Sequence, residues 1–273
     1  MPTLPIYQVD AFTSEIFGGN PAAVMPLKEW LPDDTMQQLA LENNLSETAF
    51  LVTLPDDAEA DFHIRWFTPG IEVPLCGHAT LASAWVLFNK LGWKQEQIRF
   101  QSKSGPLGVK QTEDGWLELD FPNLAFEARP TPKLILDALK GAPDTSFFVP
   151  EDTNYLVVLK DEAAVKAAQP DIRKLKELGN LGVIITAPGD DCDFVSRYFA
   201  PGGGIDEDPV TGSTHSILVP YWAEQLGKNT LLAKQVSARG GVLRCELRCG
   251  LKGNRVAIAG QAAFYMEGSV RLP

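Results

Sequence analysis

Two stretches decide the fold: Arg65-Trp-Phe-Thr-Pro69-Gly70, leading to Leu75-Cys76-Gly77-His78-Ala-Thr-Leu, and Arg197-Tyr-Phe-Ala-Pro201-Gly202, leading to Val210-Thr211-Gly212-Ser213-Thr-His-Ser. Each opens on a basic residue and two aromatics, turns at Pro-Gly, and closes on a glycine that begins an apolar helical pattern. The second copy is longer by three residues, around Asp206-Glu207-Asp208. The likeness extends outward. Phe50-Leu-Val-Thr-Leu-Pro55 precedes one copy and Val183-Ile-Ile-Thr-Ala-Pro188 the other, Leu91-Gly92 answers Leu226-Gly227, and Ser104-Gly105 answers Arg239-Gly240. Ordered likeness at five places reads as a duplication, and repeats of this kind must be found before any element is assigned.

Each half is therefore expected to be mostly strand with one or two helices. Alternating apolar runs predict strands at 6–12, 48–53, 62–67, 98–101, 108–111 and 116–121. In the second half the runs lie at 156–159, 183–186, 194–199, 236–238, 243–248 and 255–259. Helical spacing covers 34–43 and 79–91, then 132–140, 162–166, 171–178 and 213–225. Pro220 inside the last of these predicts a kink. Pro122-Asn123, followed by Arg129-Pro-Thr-Pro132, reads as the linker, which gives halves of 1–122 and 130–273, the final strand free to pack on the first. The order is not a regular strand–helix alternation, so a doubly wound sheet is disfavoured and an α+β fold expected.

Bulk composition narrows the function classes. A formal net charge of −11 with no basic block argues against nucleic-acid binding. The apolar runs are too short and polar for a membrane span. The opening residues lack the basic stretch and apolar core of a signal peptide, and four cysteines in 273 residues do not suggest a disulfide scaffold, so a reduced cytoplasmic protein is expected.

Helices beginning at Gly77-His78 and Gly212-Ser213 would each present backbone N–H groups and the positive end of a helix dipole. If a pseudo-two-fold axis relates the halves, these starts converge on one cleft suited to a carboxylate or a developing oxyanion. Singly, each glycine reads as a tight turn; as a matched pair they favour a site. Glu47, in Asn44-Leu-Ser-Glu-Thr-Ala-Phe, joins a helix end to an apolar strand, where partial desolvation would raise a carboxylate toward the range useful for a general base. By itself such a residue is more often a solvated turn or cap. His78 fits either a substrate hydrogen bond or a helix cap, and Asp208 either a turn or the second helix start. Cys76 and His78 are a nucleophile–base pair by type, though positions so close at a helix start are not expected to touch. Cys245 and Cys249 lack the second pair of a zinc site, Gly202-Gly203-Gly204 fits no nucleotide fingerprint, and His63 reads as structural.

Five segments resemble the phenazine-biosynthesis PhzF-like family, within the diaminopimelate epimerase-like fold: Gln8-Val-Asp-Ala-Phe-Thr13, Phe17-Gly-Gly-Asn-Pro-Ala-Ala-Val24, Ser46-Glu-Thr-Ala-Phe50, Cys76-Gly-His-Ala-Thr80 and Asp206-Glu-Asp-Pro-Val-Thr-Gly-Ser213. The resemblance implies two pseudo-symmetric domains, each a curled mixed sheet or barrel around a central helix, with the active site between them. It implies a homodimeric isomerase working without metal or organic cofactor. By motif position Glu47 corresponds to the acid/base carboxylate, His78, Asp208 and Ser213 to its polar partners, Gly77 and Gly212 to backbone donors, and Asn20 to a substrate-cleft position. Epimerases of this fold use two opposed cysteines. Here Cys76 fills the first place but Thr211 the second, and threonine is a poor base. A one-carboxylate proton shift on a small carboxylate-bearing substrate is therefore expected. An amino-acid epimerase using Cys76 with Glu47 and a non-catalytic metabolite-binding protein are the alternatives.

Overall fold

The computed structural model describes residues 3–140, 145–250 and 253–272. The chain forms, in order, β1 (Thr3–Ala11), β2 (Asn20–Leu27), α1 (Asp33–Asn43), β3 (Glu47–Thr53), β4 (Phe62–Phe67), β5 (Glu72–Val73), α2 (Gly77–Asn89), β6 (Gln97–Ser102), β7 (Gly105–Gln111) and β8 (Leu117–Pro122). There follow β9 (Glu127–Ala128), α3 (Lys133–Leu139), β10 (Thr145–Val149), β11 (Asn154–Val158), α4 (Glu162–Ala167), α5 (Ile172–Lys176), β12 (Gly182–Pro188), β13 (Phe194–Ala200) and β14 (Ile205–Asp208). The chain closes with α6 (His215–Leu226), β15 (Thr230–Gln235), β16 (Gly241–Arg248), β17 (Arg255–Gly260) and β18 (Ala262–Arg271). It divides into two compact units, one running to Asp120 and resuming at Ala259, the other holding Phe121–Ile258. Among the described residues no helix is long and apolar enough to cross a membrane.

Strand pairing shows the duplication directly. In the first unit β1–β2 is antiparallel, β2–β3 parallel, β3–β4 antiparallel, β4–β6 parallel and β6–β7 antiparallel. In the second, β10–β11, β11–β12, β12–β13, β13–β15 and β15–β16 repeat that series in the same order. Parallel neighbours need a crossover, and the equivalent crossovers carry α2 and α6. Both helices are buried over most of their length, up to Leu87 in α2 and Ala223 in α6. The first unit adds β18, paired antiparallel to β1.

Period-two alternation assigns the faces. Phe50 on β3 and Phe67 on β4 pack with Met25, Met36 and Leu39 in the core under α1. Glu47, Ala49 and Leu51 therefore point the other way, toward α2. In the second unit Val195 and Phe199 on β13 join Ile135, Val165 and Leu175 under α3, α4 and α5, while Phe194 faces α6 and stacks on Trp222.

The paired basic residues of the repeat have one structural job. Arg65 grips Glu72 on β5 through two bonds of 2.8 Å, and Arg197 grips Glu207 on β14 at 2.7 and 2.9 Å. Each guanidinium also lies over the aromatic two residues on, Phe67 or Phe199. These clamps hold the short strand that delivers the chain to each central helix. The Arg65 bonds, working against burial, hold the Glu72 carboxyl down to about 2.

Several expectations need correction. The strand expected at 236–238 lies at Thr230–Gln235; Gln235 occupies an inward slot and disguises the alternation. The strand β2 was not anticipated because Pro21 and Pro26 argue against a strand with two neighbours. The second helix begins at His215, not at Gly212-Ser213. Residues 212–217 instead tighten into i→i+3 bonds from His215, Ser216 and Ile217 N–H to Gly212, Ser213 and Thr214 carbonyls. α6 runs through Pro220, which removes the N–H that would bond Ser216; the Leu124 N–H takes that carbonyl at 3.1 Å.

Candidate active site

In the first unit five of the expected residues meet at the start of α2. The β1–β2 turn passes through Gly19 at φ +58°, where a Cβ would lie 2.1 Å from the Ala11 carbonyl oxygen. Only glycine fits there, and the next residue, Asn20, starts β2 fully buried. Asn44 ends α1 in the left-handed region, with its N–H on the Ala40 carbonyl. Three residues later the chain enters β3 at Glu47. Cys76 occupies the N-cap of α2, so Gly77 and His78 fall in the first turn, whose N–H groups have no intrahelical acceptor.

Glu47 is 6% exposed and His78 4%. Their Oε2 and Nε2 atoms lie 3.0 Å apart. Neither atom has an aligned hydrogen bond among the described residues, so the contact is first of all a charge pair. On the other side of the ring, Asn20 Nδ2 sits 3.2 Å and Cys76 Sγ 3.5 Å from His78 Nδ1. The thiol and the imidazole thus do touch, contrary to the sequence expectation, because the extended Cys76 backbone turns its side chain over the first helical turn. Ser46 Oγ donates to Asn20 Oδ1 at 3.0 Å.

Burial works against the His78 imidazolium, while a Cys76 thiolate and the Glu47 carboxylate both support it, and its pKa lies well above 6.5. Burial, aided by Glu47, pushes the Cys76 thiol up to about 11. Near neutrality that thiol is uncharged, so Glu47 is the partner that holds the imidazolium. With Asn20 Nδ2 toward Nδ1, the ring is neutral and keeps its proton on Nε2. Turning the Asn20 amide over offers Oδ1 to an Nδ1–H, with Ser46 Oγ accepting from Nδ2. The Asn20–Ser46 pair can serve both charge states of His78.

In the second unit, Asp208, Gly212 and Ser213 surround one buried turn. The Thr211 hydroxyl donates to Asp208 Oδ2 in a very short hydrogen bond. Gln235, 1% exposed, accepts the Thr211 N–H at 2.9 Å and donates to the Asp208 carbonyl at 2.8 Å and Thr211 Oγ1 at 3.2 Å. Thr214 Oγ1 and His215 Nδ1 both donate to the Thr211 carbonyl, at 2.9 Å each. Side chains satisfying the backbone in this way compete with helix, which is why α6 starts late. The sequence reading did not find Ser46, Gln235 or His215. Ser46 was legible as a hydroxyl beside Glu47; Gln235 carries no local signal, since its partners lie more than twenty residues away.

The sequence profile of the phenazine biosynthesis-like protein family matches residues 9–268. A protein of Pseudomonas aeruginosa named an uncharacterized isomerase is 49% identical over 269 residues, spanning 98% of this chain and 99% of its own. A crystal structure of a PhzF-family phenazine biosynthesis protein of Enterococcus faecalis superposes with a TM-score of 0.91 at 46% identity, covering 99% of this chain and all of the other. A hydroxyproline epimerase of Agrobacterium vitis, 12% identical, superposes with a TM-score of 0.63 over 98% of this chain and 92% of its own, and shares the fold alone. The α+β fold is thus that of the diaminopimelate epimerase type, and this chain belongs to the phenazine biosynthesis-like family.

Proposed function

We infer that this chain is an isomerase that shifts a proton on a small carboxylate-bearing substrate, with Glu47 as the general acid/base. The observation that carries the reading is the buried Glu47–His78 pair, 3.0 Å apart in front of the first turn of α2. The helix start suits a substrate carboxylate, or the oxyanion that forms when a carbon acid loses its proton. Glu47 takes that proton and returns it at another carbon. His78 offsets the change in charge on Glu47, and Asn20 with Ser46 follows the ring's protonation. The family membership, and a relative named an isomerase, support the reaction class.

Thr211 stands where a second thiol would be needed for two-cysteine racemisation, and its hydroxyl is engaged with Asp208. Asp208, Gly212 and Ser213 are proposed as the second unit's contribution to binding. The Cys76–His78 contact favours one alternative, an epimerase in which Cys76 works opposite Glu47; normal stereoinversion by Cys76→Ala removes it. The test of the main reading is solvent isotope exchange. A panel of amino, hydroxy and unsaturated carboxylates incubated in deuterated water should include substrates that gain carbon-bound deuterium. Glu47→Gln, checked for folding by circular dichroism, should lose the exchange by about 10²- to 10⁴-fold, the usual share of a general base. Undiminished exchange in that variant overturns the assignment. Carboxylate binding without exchange across the panel points instead to a binding protein. The same reading proposes a homodimer, which a monomeric mass in sedimentation equilibrium would remove.

A further inference from the structure

Glu47, Cys76 and His78 offer a carboxylate oxygen, a sulfur and an imidazole nitrogen, all within 4.8 Å of one another and all buried. Ligand atoms of a tetrahedral zinc ion, bound at about 2.0 Å through N or O and about 2.3 Å through S, lie roughly 3.3 to 3.7 Å apart. The sulfur–nitrogen contact of 3.5 Å falls in that range, and the oxygen–nitrogen contact of 3.0 Å is shorter and needs to open slightly. They use opposite ring nitrogens, so ligation requires the imidazole to turn. A second observation points the same way. Glu47 Oε2 and His78 Nε2 are buried, lie 3.0 Å apart without alignment and have no other hydrogen-bond partner among the described residues, so once the ring gives up its proton neither atom is committed to a protein donor or acceptor.

We propose that Glu47, Cys76 and His78 form a binding site for a borderline divalent cation of the zinc type, with the fourth position open to water or a carboxylate. The mixed oxygen, nitrogen and sulfur donors suit zinc or cobalt rather than magnesium or calcium. The N-terminus of α2 stabilises the thiolate that ligation requires. On binding, the Cys76 thiol and the His78 imidazolium each pass a proton to water, and metal–sulfur and metal–nitrogen bonds form with no change of oxidation state. The ion would occupy the lone pairs that proton transfer needs, so the loaded protein is inhibited. That consequence rests on the proposed function; the binding itself does not.

One other thiol cluster serves as the internal control. Glu162, Asp191 and Cys192 also lie within 4.8 Å, but Lys166 and Lys234 already pair with the two carboxylates, and the Cys192 thiol donates to the Phe194 carbonyl at 3.3 Å. The test titrates the chelator-treated full-length protein with cobalt(II) in excess magnesium. The expected result is a sulfur-to-cobalt charge-transfer band in the near ultraviolet that saturates at one equivalent and is bleached by zinc. Cys192→Ala should keep the band and Cys76→Ala should lose it. Glu47→Gln should weaken cobalt binding at least tenfold, a readout that stands even if Cys76→Ala fails to fold. A folded wild type without the band, or a band retained in Cys76→Ala, overturns the proposal. If instead no substrate exchanges deuterium while the band behaves as expected, the isomerase reading fails and the metal site stands.

Discussion

Replacing Glu47 by glutamine should lower the His78 pKa from above 6.5 to below it, and this can be measured without knowing the substrate. At 3.0 Å a carboxylate and an imidazolium attract by about 5 kcal/mol at an effective dielectric constant of about 20. Desolvating a buried cation costs several kcal/mol. The two are of similar size, so removing the carboxylate leaves burial in command. Cys76 cannot substitute, because its thiol stays protonated up to about 11. Glutamine keeps the shape, so the fold is not the variable. The chain holds only three histidines, so a carbon–proton correlation spectrum followed against pH shows three imidazole signals. In the wild type, His215 should titrate near 4, where burial places it, His63 below 6.5, lowered first by burial and then by Arg65, and His78 above 6.5. In Glu47→Gln only the last should move, and downward. A His78 signal that keeps its high pKa in the variant refutes the pairing on which the proposed chemistry depends. The linkage has a definite sign. A raised folded-state pKa contributes stability that is fully present below about 6.5 and is lost as the pH rises through the folded value; Glu47→Gln should abolish that alkaline loss.

Other consequences can be checked separately. His215 gives the opposite dependence: its folded pKa near 4 lies below the unfolded 6.5, so stability falls as the pH drops between these values, by about 3 kcal/mol. Urea unfolding of His215→Leu should show that much less acid sensitivity. Arg197→Met should destabilise by about 3 to 5 kcal/mol and Arg65→Met by about 1 to 3. Arg197 also donates to the Val165 and Ala168 carbonyls at 3.1 and 2.7 Å, whereas the further partner of Arg65 is the exposed Asp33; equal losses in thermal unfolding would contradict this. Gln235→Leu removes three bonds from the Asp208–Thr211 turn and should cost about 2 to 4 kcal/mol. Iodoacetamide should label the exposed Cys249 before the buried Cys76 and Cys245, as peptide mass mapping would show.

Legibility followed the range of the interaction. The end of α1 at Asn43 was readable because the left-handed cap at Asn44 is a local property of the residue and its neighbours, whereas α2, expected to run to 91, stops at Asn89 with Lys90 in the right-handed region. β4, with its compact alternation, was readable to the residue. β18 was not, because most of its residues are exposed and its partner β1 lies at the other end of the chain. Around the site, the motifs marked Glu47 and His78 but said nothing of Gln235, which acts on residues 24 and 27 positions away.

By itself the sequence determined the duplication, and with it the α+β class, because two copies of one pattern must solve one packing problem in the same way. It also singled out Glu47, Cys76 and His78 by type and place. What tertiary structure decided is how those groups act on one another. The 3.0 Å pairing of Glu47 with His78, the thiol held over the imidazole, and the late start of α6 depend on backbone direction and burial. A carboxylate becomes the partner that holds a buried imidazolium only when the fold removes water from both.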